Sequence, residues 1–207
     1  MGPDLTNIKN IIFDLGKVLL NLDFDASIKA FQILGLSTAV LTNQQAYSDP
    51  VFYELEVGKV SPDEFCNRVR KVLNNPQASD LQIKDAWYAM ILNVPSNRVK
   101  KLQELRQNYK VYLFSNTNQI HIERLHADFY EEHGIAFPSL FDDDFYSHEI
   151  HARKPDLDSY EKVIELSEVN PRESLFVDDL EKNIVGAEKA GLQTFWLKDG
   201  MEMAELF

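Results

Sequence analysis

Cys66 is the single cysteine in 207 residues, so no disulfide can close within the chain, and a reducing cytoplasm is the expected setting. Basic side chains are scarce beside acidic ones: 21 Lys and Arg against 33 Asp and Glu leave a formal net charge of −12. Nucleic acid is therefore not expected as a partner, because a phosphate backbone needs a basic footprint. No apolar run approaches the ~18 residues that span a bilayer, and the first residues lack the charged and apolar regions of a signal peptide. Met1-Gly2-Pro3-Asp4-Leu5-Thr6 formally matches an acylation pattern, but no polybasic patch supplies a second anchor, and no membrane association is expected. Repeats and low-complexity stretches are also missing, which excludes a fibrous or disordered chain. A monomer or simple homodimer is expected.

What the chain does contain is patterned. A hydrophobic share of 44% supports one substantial core, or a core with a smaller companion. Ile8 to Asp14 reads as a first strand, with Gly16 allowing a tight turn and Val18 to Leu22 returning as a short extended flap. From about Asp25 to Asn93 the signals are helical. Ser61-Pro62-Asp63-Glu64 carries an N-cap, an N1 proline and a capping-box glutamate, and Phe65, Val69, Val72 and Leu73 follow at helical spacing. Gly58 suits the end of the preceding helix. Ser79 can cap another helix, whose apolar face bears Leu81, Ile83, Ala86, Trp87, Met90 and Ile91. After Pro95, helices over 97–107, 118–133, 156–167 and 180–190 alternate with strands over 110–114, 174–177 and 193–197. That rhythm predicts the α/β class and a doubly wound parallel sheet. Residues 1–20 and 94–207 would form its core domain, and residues 21–93 a small all-helical cap domain inserted after the first strand.

Polar groups sit where those strands end. Asp14 closes Ile11-Ile12-Phe13, Ser115-Asn116 follow Val111 to Phe114, Asp178-Asp179 follow Leu175 to Val177, and Lys154-Pro155 follow a mixed segment. The carboxyl ends of parallel strands converge on one crevice, so these stations are expected to meet. Three carboxylates there repel and raise one another's pKa unless a cation is bound. Oxygen donors without thiolate select a hard ion, Mg²⁺. Asp14 and Asp179 are the expected direct ligands, with the backbone carbonyl of Gly16. Asp178 is expected to bind through water or to hold Lys154, since adjacent strand-end residues point opposite ways. Asn183, one helical turn past Asp179, is expected to support it from behind. Ser115 offers a hydroxyl and Asn116 a backbone N–H to phosphate oxygens, and Lys154 supplies a point charge. Arg153 either steers phosphate or ties down its loop.

Phe13-Asp14-Leu15-Gly16, Phe114-Ser115-Asn116-Thr117-Asn118, Arg153-Lys154-Pro155-Asp156 and Val177-Asp178-Asp179 with Asn183 resemble, in order, the four motifs of the haloacid dehalogenase-like hydrolase superfamily. Within it they are most similar to sugar-phosphate phosphatases of the α-D-glucose-1-phosphate phosphatase type. The resemblance implies a Rossmann-like core, Mg²⁺ as cofactor, and hydrolysis of a small phosphorylated metabolite such as a sugar phosphate. Asp14 would attack phosphorus and form an aspartyl-phosphate. Mg²⁺, Lys154 and Ser115 would stabilise the transferring oxygens, and the cap would close over the substrate.

Gly16 departs from most phosphatases of the superfamily, which carry there a second aspartate as general acid and base, a role worth about 10²–10⁴ in rate. Three accounts fit: the leaving group departs poorly protonated, as an anomeric phosphate does; another acid such as Asp23 or Asp25 substitutes; or the chain is a slow or silent relative. His151 stands where the family often has glycine. Two other functions fit the same motifs, a haloacid dehalogenase, whose halide leaves without a proton, and a non-catalytic phosphate-binding or regulatory protein.

Other residues have plainer readings. His148 and His151 lack companion ligands at metal-site spacing and are expected in a solvated loop. Asp142-Asp143-Asp144 is expected as a solvated charge run, and Cys66 as a small core residue of a cap helix. Trp87 and Tyr88 fit either the cap core or the wall of a sugar pocket.

Overall fold

The computed structural model describes residues 2–40 and 42–207; Met1, first residue of the formal acylation pattern, lies outside them. Its frame is a five-stranded, all-parallel sheet of β1 (Asn10–Phe13), β2 (Lys110–Ser115), β3 (Asp143–Tyr146), β4 (Ser174–Asp178) and β5 (Gln193–Trp196), in the order β3-β2-β1-β4-β5. Strands of such a sheet are covered on both faces and read as continuous apolar runs. Ile11, Phe13, Val111, Leu113 and Val177 face one side, while Ile12, Tyr112, Phe114 and Phe176 face the other, the two-residue period of a strand.

Helices α1 (Phe24–Ile33), α2 (Asn43–Ala46), α3 (Pro50–Glu56), α4 (Pro62–Val72) and α5 (Asp80–Tyr88) lie between β1 and β2, and α6 (Ser96–Leu105) leads into β2. After β2 come α7 (Gln119–His133), the short α8 (Ser147–Ile150) behind β3, α9 (Leu157–Ser167), α10 (Glu181–Lys189) after β4, and α11 (Met203–Leu206). Among the described residues no helix is long and apolar enough to cross a membrane. The inserted helices have a core of their own around Phe31, Phe52, Phe65 and Trp87. Cys66 is buried in it as expected, and burial pushes its thiol up to about 11. Ser61 caps α4 through the Glu64 amide (3.2 Å). The complete capping box falls instead at Ser79 and Gln82, ahead of α5.

Three segments differ from the sequence reading. The expected extended flap over 18–22 is formed only in its second half: residues 17–19 are a turn, the Leu19 and Leu20 amides both donating to the Leu15 carbonyl (2.9 and 2.8 Å), and the chain is extended over 20–22, where Leu22 bridges antiparallel to Ile91. The left-handed residue of that turn is Lys17 (φ 60°), not Gly16. Asp143 and Asp144 open the edge strand β3, and Asp142 just before it accepts the Val111 amide (2.9 Å) and pairs with Arg106 (3.4 Å). The acidic run is thus exposed in part but structured.

Of the two histidines expected in a solvated loop, His148 is not in one, while His151 is exposed but bonded. His148 lies in α8, where burial lowers its pKa. His151 ends that helix in left-handed backbone (φ 53°), its Nδ1 3.0 Å from the Val57 carbonyl. This is where the helical insert is fastened to the sheet. Ser147 Oγ sits between the Glu56 and Thr117 carbonyls (2.6 and 2.9 Å) and accepts the Thr117 amide (2.9 Å). A β-carbon at Gly58 would lie 2.2 Å from the His148 carbonyl oxygen, so the close approach requires glycine.

Candidate active site

Asp14 directly follows β1, its amide bonded to the Val177 carbonyl (2.9 Å). Because β1 lies between β2 and β4, the carboxyl ends of its two neighbours, Ser115 and Asp178, flank Asp14. The loop after α8 completes the group. Lys154 is fully buried, and its Nζ stands 2.5 Å from Asp14 Oδ1, 2.8 Å from Asp178 Oδ2 and 2.9 Å from the Phe114 carbonyl. The Asn116 side chain holds that lysine by its own peptide groups, accepting the Lys154 amide (2.9 Å) and donating to the Lys154 carbonyl (2.8 Å).

The electrostatics follow from burial. It pushes the Asp14 carboxyl up to about 7; Lys154 opposes this, and Asp178 and Asp179 add to it. Asp179 is pushed up to about 6 by burial and by Asp178, against Lys17 and Lys154. Burial works against the Lys154 charge, but Asp14 and Asp178 outweigh it and hold its pKa above the ordinary lysine range. Such perturbed groups gathered in a cleft mark a functional site.

One oxygen from each of Asp14, Asp178 and Asp179 lies within 4.8 Å of the others. Ligands of one Mg²⁺ stand about 3.0 Å apart when adjacent and about 4.2 Å when opposite, so the three oxygens would draw together to close on the ion. Asn183 Oδ1, buried and without a hydrogen-bond partner, adds an oxygen in the same cavity. These donors fit Mg²⁺, a hard ion, and offer it no sulfur or imidazole.

The structure brings Asp14, Gly16, Ser115, Asn116, Arg153, Lys154, Asp179 and Asn183 to one cavity of about 300 Å³. Asp178 lies beneath it, holding Lys154. Asn183 does not support Asp179 as expected: its Nδ2 donates to both oxygens of Asp178 (3.0 Å each). The reason is local, since α10 starts only at Glu181, so Asp179 is not on the helix whose spacing was applied to it. Asp23 and Asp25 do not face the cavity; Asp23 caps α1 through the Asp25 and Ala26 amides. Arg153 is tied to the insert, with Nη1 2.6 Å from Glu56 Oε2 and the guanidinium over the Tyr53 ring.

Three residues escaped the sequence reading. Lys17 and Lys182 line the cavity of Asp14. Glu56 lines the adjoining ones, its pKa raised by burial against the pull of Arg153 and Lys182. No motif or periodicity marks them, though Lys182 falls three residues after Asp179 on the same sheet edge.

Comparison with known proteins agrees with this geometry. A family model for haloacid dehalogenase-like hydrolases matches residues 8–191. A D-ribitol-5-phosphate phosphatase of Bacteroides thetaiotaomicron is 33% identical over 198 residues, 94% of each chain. A sesquiterpene phosphatase of Aspergillus oryzae, astK, is 26% identical over 201 residues, 95% of this chain and 93% of that one. Among solved structures, the HAD family enzyme bt-2542 of Bacteroides thetaiotaomicron, in complex with magnesium and inorganic phosphate, superposes with a TM-score of 0.88 at 32% identity, covering 97% of this chain and 99% of that one. With the family model spanning its sheet and every strand-end station in place, the chain belongs to the haloacid dehalogenase-like hydrolases.

Proposed function

We propose that this protein is a Mg²⁺-dependent phosphatase of a small phosphorylated polyol or sugar, acting through an aspartyl-phosphate on Asp14. The observation that carries the reading is the Lys154 ammonium held between Asp14 and Asp178. It fixes Asp14 by Oδ1 and leaves Oδ2 on the side of Gly16, where the cavity lies. Oδ2 attacks phosphorus, the bond to the ester oxygen breaks, that oxygen takes a proton from water and leaves as the alcohol, and the phosphoryl group passes to Asp14. Lys154 and Ser115 stand at the transferring oxygens. Mg²⁺, held by Asp14, Asp179 and the Gly16 carbonyl with Asp178 behind, supplies charge neutralisation there. Water then attacks the same phosphorus, inorganic phosphate leaves, and the Asp14 carboxylate is restored. Residues 21–93 act as the cap over a core of 1–20 and 94–207, in a cytoplasmic setting that suits a chain whose sole cysteine is buried.

The apolar space immediately beside the nucleophile, walled by Leu20, Leu22, Met90 and Ile91, holds about 160 Å³, short of the ~300 Å³ at which ligand pockets begin, so only a small group fits next to phosphorus. A phosphate-release screen over phosphorylated metabolites, with and without Mg²⁺ and beside Asp14→Asn, tests the proposal. Release from polyol or sugar phosphates that needs both Mg²⁺ and Asp14 is expected. A folded, active Asp14→Asn variant would rule out the nucleophile, and halide release from a haloacid with no phosphate release from any ester would replace the reading.

A further inference from the structure

Beyond the nucleophile's cavity lies a larger one of about 610 Å³, between the α2–α3 region and α10, whose walls include Tyr47, Tyr53, Glu56, Trp87, Arg153 and Lys182. Arg153 and Lys182 also line the cavity of Asp14. Glu56 and Trp87 also line the small apolar space, which shares Gly16, Ser115 and Asn116 with that cavity. The pair of Glu56 with Arg153 (2.6 Å) therefore stands at the junction between the phosphate site and the outer space.

Polar groups at this junction are open to the cavity. Arg153 engages Glu56 Oε2 (2.6 Å), and Glu56 Oε1 receives no hydrogen bond from a described residue. The exposed Lys182 ammonium lines the same cavity. Trp87 Nε1 is buried without an acceptor. Buried polar groups are normally satisfied, so the Trp87 N–H calls for an acceptor, and with the Glu56 acceptor and the Lys182 donor on the same cavity it points to a ligand that both gives and takes hydrogen bonds. Hydroxyls do both.

We propose that Glu56 reads the leaving group: its carboxylate, oriented by Arg153, accepts hydrogen bonds from the hydroxyls of an open-chain polyol or sugar. The inference rests on the phosphatase reading for the position of phosphorus at Asp14; the carbon chain then extends past Glu56 into the outer cavity. Its negative charge also turns away leaving groups that carry a carboxylate, a repulsive element of specificity.

The test compares kcat/KM for a pentitol 5-phosphate, phenyl phosphate and 3-phosphoglycerate in the wild type, Glu56→Gln and Glu56→Asp, with circular dichroism to establish folding. A hydrogen bond to a charged acceptor is worth roughly ten- to a hundredfold in binding. Glu56→Gln should lower the pentitol-to-phenyl ratio by that factor, mainly through KM, and raise 3-phosphoglycerate relative to both. Glu56→Asp, which keeps the charge, should still discriminate against 3-phosphoglycerate. A pentitol-to-phenyl ratio within twofold of wild type in folded Glu56→Gln overturns the proposal. Calorimetry on an Asp14→Asn background with Mg²⁺ reads the same residue without turnover: Glu56→Gln should lose at least tenfold in pentitol phosphate affinity relative to inorganic phosphate, and an unchanged relative affinity overturns the assignment. Absence of phosphate release from any ester by the wild type sinks the phosphatase reading, while the calorimetry still decides for or against Glu56.

Discussion

Replacing Lys154 by methionine removes a charge and keeps an unbranched chain of similar length. The structure sets the size of the effect. Lys154 and Asp178 are completely buried and Asp14 nearly so, and both carboxylates share the one ammonium at 2.5 and 2.8 Å. Removing one partner from a buried ion pair costs about 3–5 kcal/mol, because the charge left behind is uncompensated. For a chain of this length 1 kcal/mol corresponds to about 2–4 °C in Tm, so the metal-free variant should melt about 6–20 °C below wild type at pH 8. Two conditions should narrow the gap. Saturating Mg²⁺ supplies replacement charge. Acid does so as well: burial already pushes Asp14 up to about 7 with Lys154 opposing it, so without the lysine its pKa climbs further. Protonation between pH 8 and 5 then relieves up to about 1.4 kcal/mol per pH unit for one proton. Thermal unfolding followed by circular dichroism, in EDTA and in Mg²⁺ across that range, measures all three effects. A gap under about 2 °C at pH 8, or one that widens on acidification, would refute the claim that Lys154 neutralises this pair.

Mg²⁺ binding should weaken as pH falls, since ligation needs carboxylates that the metal-free site holds protonated near pH 6. With Asp14 at about 7 and Asp179 at about 6, the protonation factors multiply as (1 + 10) × (1 + 1), about 22, at pH 6 against about 1.1 at pH 8. Calorimetry at the two pH values should show roughly that loss of affinity, and a change below twofold would contradict it. The same raised values make these two groups favour the folded metal-free state increasingly as pH falls from 7 toward 4, a trend thermal scans in EDTA should show. Gly16→Asp should raise kcat on alkyl phosphates by up to about 10², because a β-carbon there lies 4.0 Å from Asp14 Oδ2 and displaces only the tip of Leu22. No gain on any alkyl ester would count against Gly16 as the place of the missing acid.

Much of the site is legible because strand ends announce themselves. Ile11-Ile12-Phe13, Val111 to Phe114 and Leu175 to Val177 are buried on both faces, and each hands over abruptly to a polar residue. β3 escaped because an edge strand of four residues that opens with Asp143 and Asp144 has neither a run nor an alternation to detect. Asn183 was assigned to the wrong carboxylate because helical spacing was counted from Asp179, two residues ahead of α10. Glu56 was invisible for a different reason. It ends a cap helix and meets Arg153 only through tertiary packing, and nothing in Tyr53-Glu54-Leu55-Glu56 distinguishes a solvated glutamate from one turned inward. His148 of α8 was misread likewise, since its partial burial is created by the insert folding back onto Ser147.

Asn116 does with one side chain what a neighbouring strand does elsewhere in the sheet. It takes the N–H and answers the C=O of the same residue, thirty-eight positions away. A carboxamide carries a donor and an acceptor side by side on one short side chain. Aspartate would set oxygen against oxygen, and leucine would leave two peptide groups unanswered. Position 116 is therefore locked by a loop it does not belong to, and the placement of the Lys154 ammonium is inherited from the end of β2.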